Sequence, residues 1–422
     1  MNTQPEATST PRPKCLMLSP VSPFPPDVGA AQRSFLLYQA LRDEYDVDLV
    51  LINNNIYSPE VLATLRSDFS LLACIPADDG DWAPRRWRFR IPLVGKYLRR
   101  AVRVWLGARG TLFRSPAMSE KLRALTSSHR YDFIVSRYIW PAAQTDAFAQ
   151  TPVYIDVDDL PSEVWLSRVP SASGLTRACT RRIARAYASE EQMQLSRAAG
   201  AWVAKGKDQD ALRSLPAVGL LPNVPFASYP AGVSALPFPL ASPPVVLGVG
   251  FFDWPPNRTG FDWFVKSVWP LVYAQRPDAV LHVVGKMSDR RIAQSWEQVP
   301  GVRFLGRVED LALQYHGAAL AVAPIFTGGG TNIKVIEALS FGRCCVLTPH
   351  AAKGFMGLDG LHVAEAPGDF AQACLQLLAQ PAKAELEGQR GSVSVNRQFS
   401  FASFKSSVLA LLPSHSAKPG QA

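Results

Sequence analysis

Three consecutive glycines at 328–330 constrain the fold of this chain more than any other feature. They follow an apolar, strand-like segment at 320–324 and precede a segment with helical spacing, which Thr331 is placed to cap. Glycines allow a phosphate to approach the backbone closely, and backbone N–H groups at a helix N-terminus attract anions. The pattern therefore predicts a strand–loop–helix unit with an anion site, formed by Gly328, Gly329, Gly330, Thr331 and Asn332.

Two charged residues in the helix-like segment narrow the choice of anion. Lys334 and Glu337 are three residues apart and therefore share one helical face, while the apolar residues around them can face the core. A cation beside a phosphate-sized loop, with a carboxylate one turn later, suits a nucleotide sugar. The diphosphate would bind at the loop, and the ribose hydroxyls would bind at Glu337. The competing interpretation, a glycine-rich turn before an ordinary helix, is disfavoured by the combination of these features.

Strand-like and helix-like segments alternate along most of the 422 residues. This alternation is typical of parallel sheets that helices cover on both faces. A stretch with seven prolines between 222 and 244 separates two such regions. The sequence therefore predicts an α/β fold of two Rossmann-like domains that face each other across a cleft. Strands are expected at 15–18, 47–52, 133–136, 153–155, 245–249, 279–284, 302–305, 320–323 and 344–347.

The same alternation predicts how the chain divides. Its polar, proline-containing start has no apolar run like that of a signal peptide. The expected parts are a disordered leader (1–12), an acceptor-side Rossmann-like domain (13–225), a proline-rich linker (226–244), a donor-binding Rossmann-like domain (245–395) and a C-terminal helix with a tail (396–422).

The glycine-rich segment resembles the donor-binding signature of glycosyltransferase family 4, a retaining group with the GT-B fold. It is closest to the branch that reads Gly-Gly-Gly-Thr-(Arg/Asn)-(Leu/Ile)-Lys-x-x-Glu-Ala. Many members of the family have two glutamates separated by seven residues. Glu337 matches the second, whereas Gly329 occupies the position of the first. The resemblance implies that Lys334 is the catalytic cation that faces the diphosphate. It also implies that Gly29, in the first strand-to-helix loop, and Gly250, at the opening of the second domain, bind the donor.

Three aspartates, Asp156, Asp158 and Asp159, lie at the end of a predicted strand in the first domain. Such a cluster could form a metal site or an acid–base pair, although neighbouring residues on a strand alternate between its faces. The family resemblance places Asp158 where many members have a histidine near the donor sugar. Asp158 is therefore the second candidate catalytic residue, and the alternative role for this segment is to cap the next helix.

Positive charge is concentrated in one segment of the sequence. The chain has 44 Lys and Arg against 35 Asp and Glu, a net charge of +9. Ten of the cations lie between Trp82 and Ser119, among aromatic residues and without one acidic residue. An amphipathic, basic stretch of this kind can bind an anionic membrane surface, and the alternatives are a nucleic-acid site or a solvated basic face. We expect residues 85–114 to contact anionic membrane, and we expect no nucleic-acid partner.

The sequence contains no apolar stretch of about 20 residues that could span a membrane. Its six cysteines lack metal-ligand spacing, and at least five lie in apolar or helical segments, so buried, reduced thiols in a cytoplasmic protein are expected. They stand at positions 15, 74, 179, 344, 345 and 374.

The features together predict a retaining glycosyltransferase of the hexosyltransferase type. It would move a sugar from a nucleotide-diphosphate sugar to a glycan or a lipid-linked acceptor, in bacterial surface or exopolysaccharide synthesis. It would act at the inner face of the cell membrane, with no metal and no cofactor besides the donor substrate. The alternative is a non-catalytic GT-B relative that binds a nucleotide sugar or nucleic acid.

Overall fold

The computed structural model divides the chain into two compact units. The first comprises residues 1–221 and 405–422, and the second comprises residues 222–404. Residues from Lys405 onward therefore belong to the same unit as the N-terminal part of the chain. The structure describes residues 12–77, 115–149, 151–166, 169, 174–215, 217–229, 235, 237, 243–328 and 331–413.

The first unit is built around a parallel sheet. Within the described residues this sheet has seven strands in the order β3-β2-β1-β4-β5-β6-β7, and neighbouring strands run parallel. The strands are β1 (Lys14–Ser19), β2 (Asp46–Ile52), β3 (Leu71–Ile75), β4 (Phe133–Arg137), β5 (Val153–Asp158), β6 (Gly200–Val203) and β7 (Val218–Leu220). The helices are α1 (Gly29–Arg42), α2 (Pro59–Asp68), α3 (Pro116–Thr126), α4 (Ile139–Thr145), α5 (Pro161–Leu166), α6 (Gly174–Leu195) and α7 (Gly206–Ala211), with a 3₁₀ turn at Ala147–Ala149.

The second unit repeats this architecture with a smaller sheet. Its described residues form six parallel strands in the order β10-β9-β8-β11-β12-β13. The strands are β8 (Val245–Val249), β9 (Val280–Val284), β10 (Val302–Gly306), β11 (Ala318–Ala323), β12 (Cys345–Leu347) and β13 (Leu361–Val363). The helices are α8 (Pro255–Trp263), α9 (Trp269–Gln275), α10 (Arg290–Glu297), α11 (Leu311–Gly317), α12 (Ile333–Ser340), α13 (Pro367–Ala379) and α14 (Pro381–Gln398), with a 3₁₀ turn at Phe226–Ser228 and a π segment at Phe264–Val268. The division between the two units, after Phe404, falls within a last helix, α15 (Phe401–Leu409).

Apolar side chains bury the central strands on both faces. All six residues of β11 are buried, and in β1 only the first residue is not fully buried. Continuous burial of this kind is expected when helices cover both faces of a parallel sheet. In the second unit, Phe252, Phe261 and Trp296 pack edge-to-face beside this sheet. Each unit therefore has its own core.

The strand order places a topological switch point in each sheet. In the first unit β1 lies between β2 and β4, and in the second unit β8 lies between β9 and β11. The loops that leave the two strands at a switch point diverge to opposite faces of the sheet. They leave a crevice beyond the carboxyl ends, where ligands bind in open α/β sheets.

The α/β fold with two parallel sheets is confirmed. Each of the nine predicted strands corresponds to an observed strand, with bounds that differ by at most a few residues. Four observed strands, β3, β6, β7 and β13, were not predicted. They are short, and β3 alternates between partly buried and exposed residues, with only Ile75 buried.

The prediction that the cysteines are buried holds for four of them and is wrong for Cys74 and Cys179, which are exposed. Cys74 lies on an outward-facing position of the edge strand β3, and Cys179 lies on an exposed face of α6. An apolar neighbourhood in sequence did not indicate which face each residue would take.

Several predictions fall outside the described residues. They concern the basic segment 85–114, almost all of the leader 1–12, and most of the linker 226–244. Among the helices that the structure does describe, none has the length and apolar character needed to cross a membrane.

Candidate functional site

The glycine-rich loop follows β11 at the switch point of the second unit. Gly328 has φ +123°, a conformation that residues with a side chain rarely adopt. Gly329 and Gly330 lie outside the described residues, and the described chain resumes at Thr331. A substitution at Gly328 would therefore strain the backbone where the loop leaves the sheet.

The cap of the following helix differs from the prediction. Asn332, not Thr331, is the N-cap residue of α12, and it makes no side-chain hydrogen bond to the helix backbone. Its amide donates instead to the carbonyl of Ala351 (3.4 Å). The hydroxyl of Thr331 accepts a hydrogen bond from the amide of Asn223 (3.2 Å). The Thr331 hydroxyl therefore bonds a residue that is distant in sequence, and the local sequence could not predict this contact.

Lys334 connects the two sides of the switch point. Its Nζ donates to Oδ1 of Asn257 (2.7 Å), which lies in α8, after β8. The amide of Asn257 donates in turn to the carbonyl of Phe251 (2.9 Å), in the loop between β8 and α8. Burial lowers the pKa of the Lys334 ammonium to about 8. The predicted cation thus lies in the crevice, partly buried and held toward the loop that follows β8.

Glu337 lies one turn further along α12 and is also partly buried. The hydroxyl of the buried Tyr315 donates to its Oε2 (3.1 Å). Burial raises the pKa of Glu337 to about 7, while the Tyr315 hydroxyl and the charge of Lys334 favour the ionised form. Because a carboxylate oxygen accepts more than one hydrogen bond, Glu337 can bind a hydroxyl group while it keeps Tyr315.

Close backbone packing fixes the shape of this crevice. Gly250 directly follows β8, and its N–H donates to the carbonyl of Val284 (3.0 Å) at the end of β9. A Cβ atom at Gly260, in α8, would lie only 1.7 Å from the carbonyl oxygen of Pro324. Helix α8 therefore contacts the backbone that follows β11 directly, and this contact brings Asn257 within reach of Lys334.

Two exposed aromatic residues belong to the same loop. Phe251 is 40% exposed and Trp254 is 48% exposed, although Phe252 between them is fully buried. Exposed aromatic rings beside a polar crevice are suited to pack against a sugar or a nucleobase. The sequence analysis did not single them out.

The first unit holds a buried charge network that the sequence analysis missed. Asp156, at the end of β5, accepts hydrogen bonds from Arg33 in α1 (2.6 and 3.0 Å) and from Arg137 in β4 (2.6 Å). The three side chains are at most 2% exposed. The two guanidinium groups hold the pKa of Asp156 below its usual range, against the opposing effect of burial. Both carboxylate oxygens of Asp156 thus bond buried arginines, so this side chain is not available to a metal.

Asp158 lies at the edge of this network with a strained backbone. Its φ is +62°, and its side chain is 17% exposed. One carboxylate oxygen lies 3.5 Å from Nη2 of Arg137, and the other lies 3.9 Å from Nε of Arg33. Non-glycine residues with positive φ concentrate at functional sites, where the surrounding structure maintains the strain. The candidate catalytic carboxylate of this unit is therefore backed by two buried cations.

The neighbouring candidates in this unit have separate environments. Asp159 forms an ion pair with Lys205, and burial raises its pKa to about 6. Gly29 is the exposed first residue of α1, four residues before Arg33. Asp159 therefore has a different partner from Asp156 and Asp158, which share Arg33 and Arg137.

Comparisons with known proteins place a family match on the second unit. Residues 243–380 match the family model described as Glycosyl transferases group 1, and this range includes Gly250, Gly328, Lys334 and Glu337. No curated protein sequence matches the chain.

Solved structures match nearly the whole chain at low sequence identity. Sucrose-phosphate synthase from Thermosynechococcus elongatus is 19% identical with a TM-score of 0.62, over 94% of this chain and 98% of that chain. A glycosyltransferase from Rickettsia africae is 11% identical with a TM-score of 0.61, over 95% and 97%. HepE from Anabaena, solved in complex with UDP, is 13% identical with a TM-score of 0.57, over 94% and 98%. The chain thus has the GT-B fold, and its second unit contains a segment that matches Glycosyl transferases group 1.

Proposed function

We propose that this protein is a glycosyltransferase that moves a sugar from a nucleotide-diphosphate sugar to a glycan or lipid-linked acceptor, with retention of the anomeric configuration. The observation that carries the proposal is the position of Lys334. It lies at the switch point of the second unit, within the segment that matches the family model. Its ammonium links α12, which follows β11, to α8, which follows β8.

In the proposed donor complex, each group of the crevice has one role. The diphosphate binds at residues 328–332 and beside Lys334, and the ribose hydroxyls donate to Glu337. Phe251 and Trp254 offer apolar faces to the base or the sugar. HepE was solved with UDP and also with UDP and glucose, so UDP-sugars are the first donors to test.

The proposed chemistry depends on stabilising the leaving group. When the sugar–phosphate bond breaks, negative charge grows on the departing diphosphate. A positioned ammonium and backbone N–H groups stabilise this charge more in the transition state than in the ground state. In this mechanism the attack occurs on the face from which the diphosphate leaves, so no carboxylate is needed as a nucleophile. Asp158, in the first unit, is proposed to contact the substrate.

The primary experiment tests for transfer chemistry directly. The protein is incubated with a panel of nucleotide sugars, and the release of nucleoside diphosphate is followed with and without lipid extract as the acceptor source. Release that Lys334→Met lowers by about 10²–10³-fold and that Lys266→Met preserves supports the proposal. Lys266 pairs with Asp262 on the surface of the same unit. Binding of a nucleotide sugar without any release identifies a non-catalytic relative instead.

The pH dependence of the reaction follows from the two perturbed groups. Glu337 ionises as the pH rises through about 7, and Lys334 loses its charge as the pH rises through about 8. We expect kcat/KM for the donor, which reports the free enzyme, to be bell-shaped with limbs near these values. Glu337→Gln should remove the acidic limb, and Lys334→Arg should remove the alkaline limb because arginine stays charged. Limbs that persist in both variants would assign the profile to other groups.

Membrane docking through residues 85–114 is a further part of the proposal, and it rests on the sequence of this segment. Each Lys or Arg near an anionic surface contributes about 1 kcal/mol, and only some of the ten can face the bilayer at once. We expect flotation with anionic vesicles that falls with salt and weakens when Trp87 and Trp105 are replaced by Ala. Equal recovery with neutral vesicles, or tighter binding to single-stranded nucleic acid, would contradict it.

A further inference from the structure

Three potential metal ligands meet in the second unit, away from the proposed donor site. Cys344 directly precedes β12, His362 lies in β13, and Glu387 lies in α14. Their ligand atoms all lie within 4.8 Å of one another. Because Cys344 lies at the amino end of β12, the cluster is separate from the crevice, which forms at the carboxyl ends of the strands.

Close helix packing brings the three residues together. A Cβ atom at Gly388, the residue after Glu387, would lie 2.1 Å from the carbonyl oxygen of Gly342. The backbone of helix α14 therefore packs directly against the turn before β12, with no room for a side chain at position 388. This contact fixes Glu387 beside the edge of the sheet that carries Cys344 and His362.

Each residue of the cluster offers one ligand atom to a divalent cation. Nε2 of His362 and Oε2 of Glu387 are 2.9 Å apart. The buried thiol of Cys344 donates a weak sulfur hydrogen bond, 3.2 Å long, to the carbonyl of Ala384, and it also interacts with the backbone of Gly388. His362 and Glu387 are each about one quarter exposed, which leaves a path for an ion and for a water ligand.

We propose that Cys344, His362 and Glu387 bind one Zn²⁺ ion, with water as the fourth ligand. Sulfur, imidazole nitrogen and carboxylate oxygen are the three ligand types of zinc, whereas Mg²⁺ and Ca²⁺ do not take thiolate. Bonds of about 2.0–2.3 Å place tetrahedral ligand atoms about 3.3–3.8 Å apart. The ligand atoms, which lie within 4.8 Å of one another, would therefore close by at most about 1.5 Å, while the His362–Glu387 pair would open slightly from 2.9 Å. Thiolate and carboxylate together neutralise the charge of the ion.

Zn²⁺ binding would release one proton from the protein. The Cys344 thiol gives its proton to solvent, and its sulfur forms a bond to zinc, so affinity rises with pH. The ion would join β12, β13 and α14, which are distant in sequence, and would stabilise this edge of the second unit. The inference is independent of the proposed transfer activity.

The test is a metal titration of the full chain after chelator treatment and dialysis. Co²⁺ replaces Zn²⁺ as a spectroscopic probe, and a thiolate-to-cobalt charge-transfer band should appear with one equivalent and disappear when Zn²⁺ is added. Zn²⁺ should also raise the Tm of the wild-type protein. His362→Gln, at a partly exposed position, should weaken Zn²⁺ binding by at least about 100-fold, since the loss of an outer-shell partner alone costs about 10–100-fold.

Two further variants make the result decisive. Cys344→Ser should abolish the charge-transfer band, and Cys374→Ala, which removes a buried thiol of α13, should leave it unchanged. If no band appears, or if His362→Gln binds Zn²⁺ as well as the wild type, the inference is overturned. The cluster is then a hydrogen-bonded histidine–glutamate pair beside a buried thiol.

Discussion

Replacing Lys334 with Met should lower turnover by about 10²–10³-fold, the cost of removing one preorganised charge-stabilising group from an active site. Methionine keeps the length of the side chain but removes its charge. The loss affects the departure of the diphosphate most, because negative charge grows on it in that step. Donor affinity should fall much less than turnover, because the ground state carries less of this charge. Steady-state kinetics combined with calorimetry of donor binding separate the two quantities.

The controls for this prediction come from the same unit. Lys334→Arg keeps a cation and should retain part of the activity, whereas Lys266→Met removes an exposed lysine and should retain all of it. A loss of donor affinity with unchanged turnover in Lys334→Met would show that the ammonium contributes only uniform binding.

Replacing Asp156 with Asn should destabilise the first unit by about 3–5 kcal/mol, the usual cost of breaking a buried ion pair from one side. The variant has almost the same size, but it leaves Arg33 and Arg137 buried without their shared counter-charge. The free energy of unfolding should be measured in denaturant, with a probe that reports the first unit, because a protein of two units need not unfold in one step.

A surface pair in the same unit supplies the comparison. Asp210 and Arg213 form an exposed ion pair, 2.7 Å apart, and exposed pairs contribute only about 0–1 kcal/mol. Asp210→Asn should therefore have a small effect. A loss for Asp156→Asn that is no larger than this would mean that water or rearrangement compensates the two arginines.

The sequence predicted features that depend on neighbours along the chain. The apolar runs at 245–249 and 320–323 predicted β8 and β11, and the glycine-rich segment with Lys334 predicted the loop and the helix that follow β11. Local pattern was sufficient here because parallel strands are buried along their whole length.

Features that depend on distant residues could not be predicted in this way. Arg33, Arg137 and Asp156 come from three elements, and none of them has a local signature that distinguishes a buried network from a charged surface. Asn257 is the partner of Lys334 across 77 residues of sequence. The N-cap residue is Asn332 rather than Thr331, and the Thr331 hydroxyl accepts a hydrogen bond from the distant Asn223. Only tertiary packing determines these contacts.

Tyr138, which follows β4, has φ 64° and ψ 162°, a region that is essentially restricted to glycine. Its ring lies against the Arg137 guanidinium, 4.5 Å from it, and its hydroxyl accepts a hydrogen bond from the same group. Glycine at this position would relieve about 1–3 kcal/mol of strain. It would also remove the ring and both of its contacts with Arg137, so the two effects oppose each other. Tyr138→Phe keeps the ring and the strained backbone, whereas Tyr138→Gly removes both, so the difference between their free energies of unfolding measures how far the contacts of the ring offset the strain.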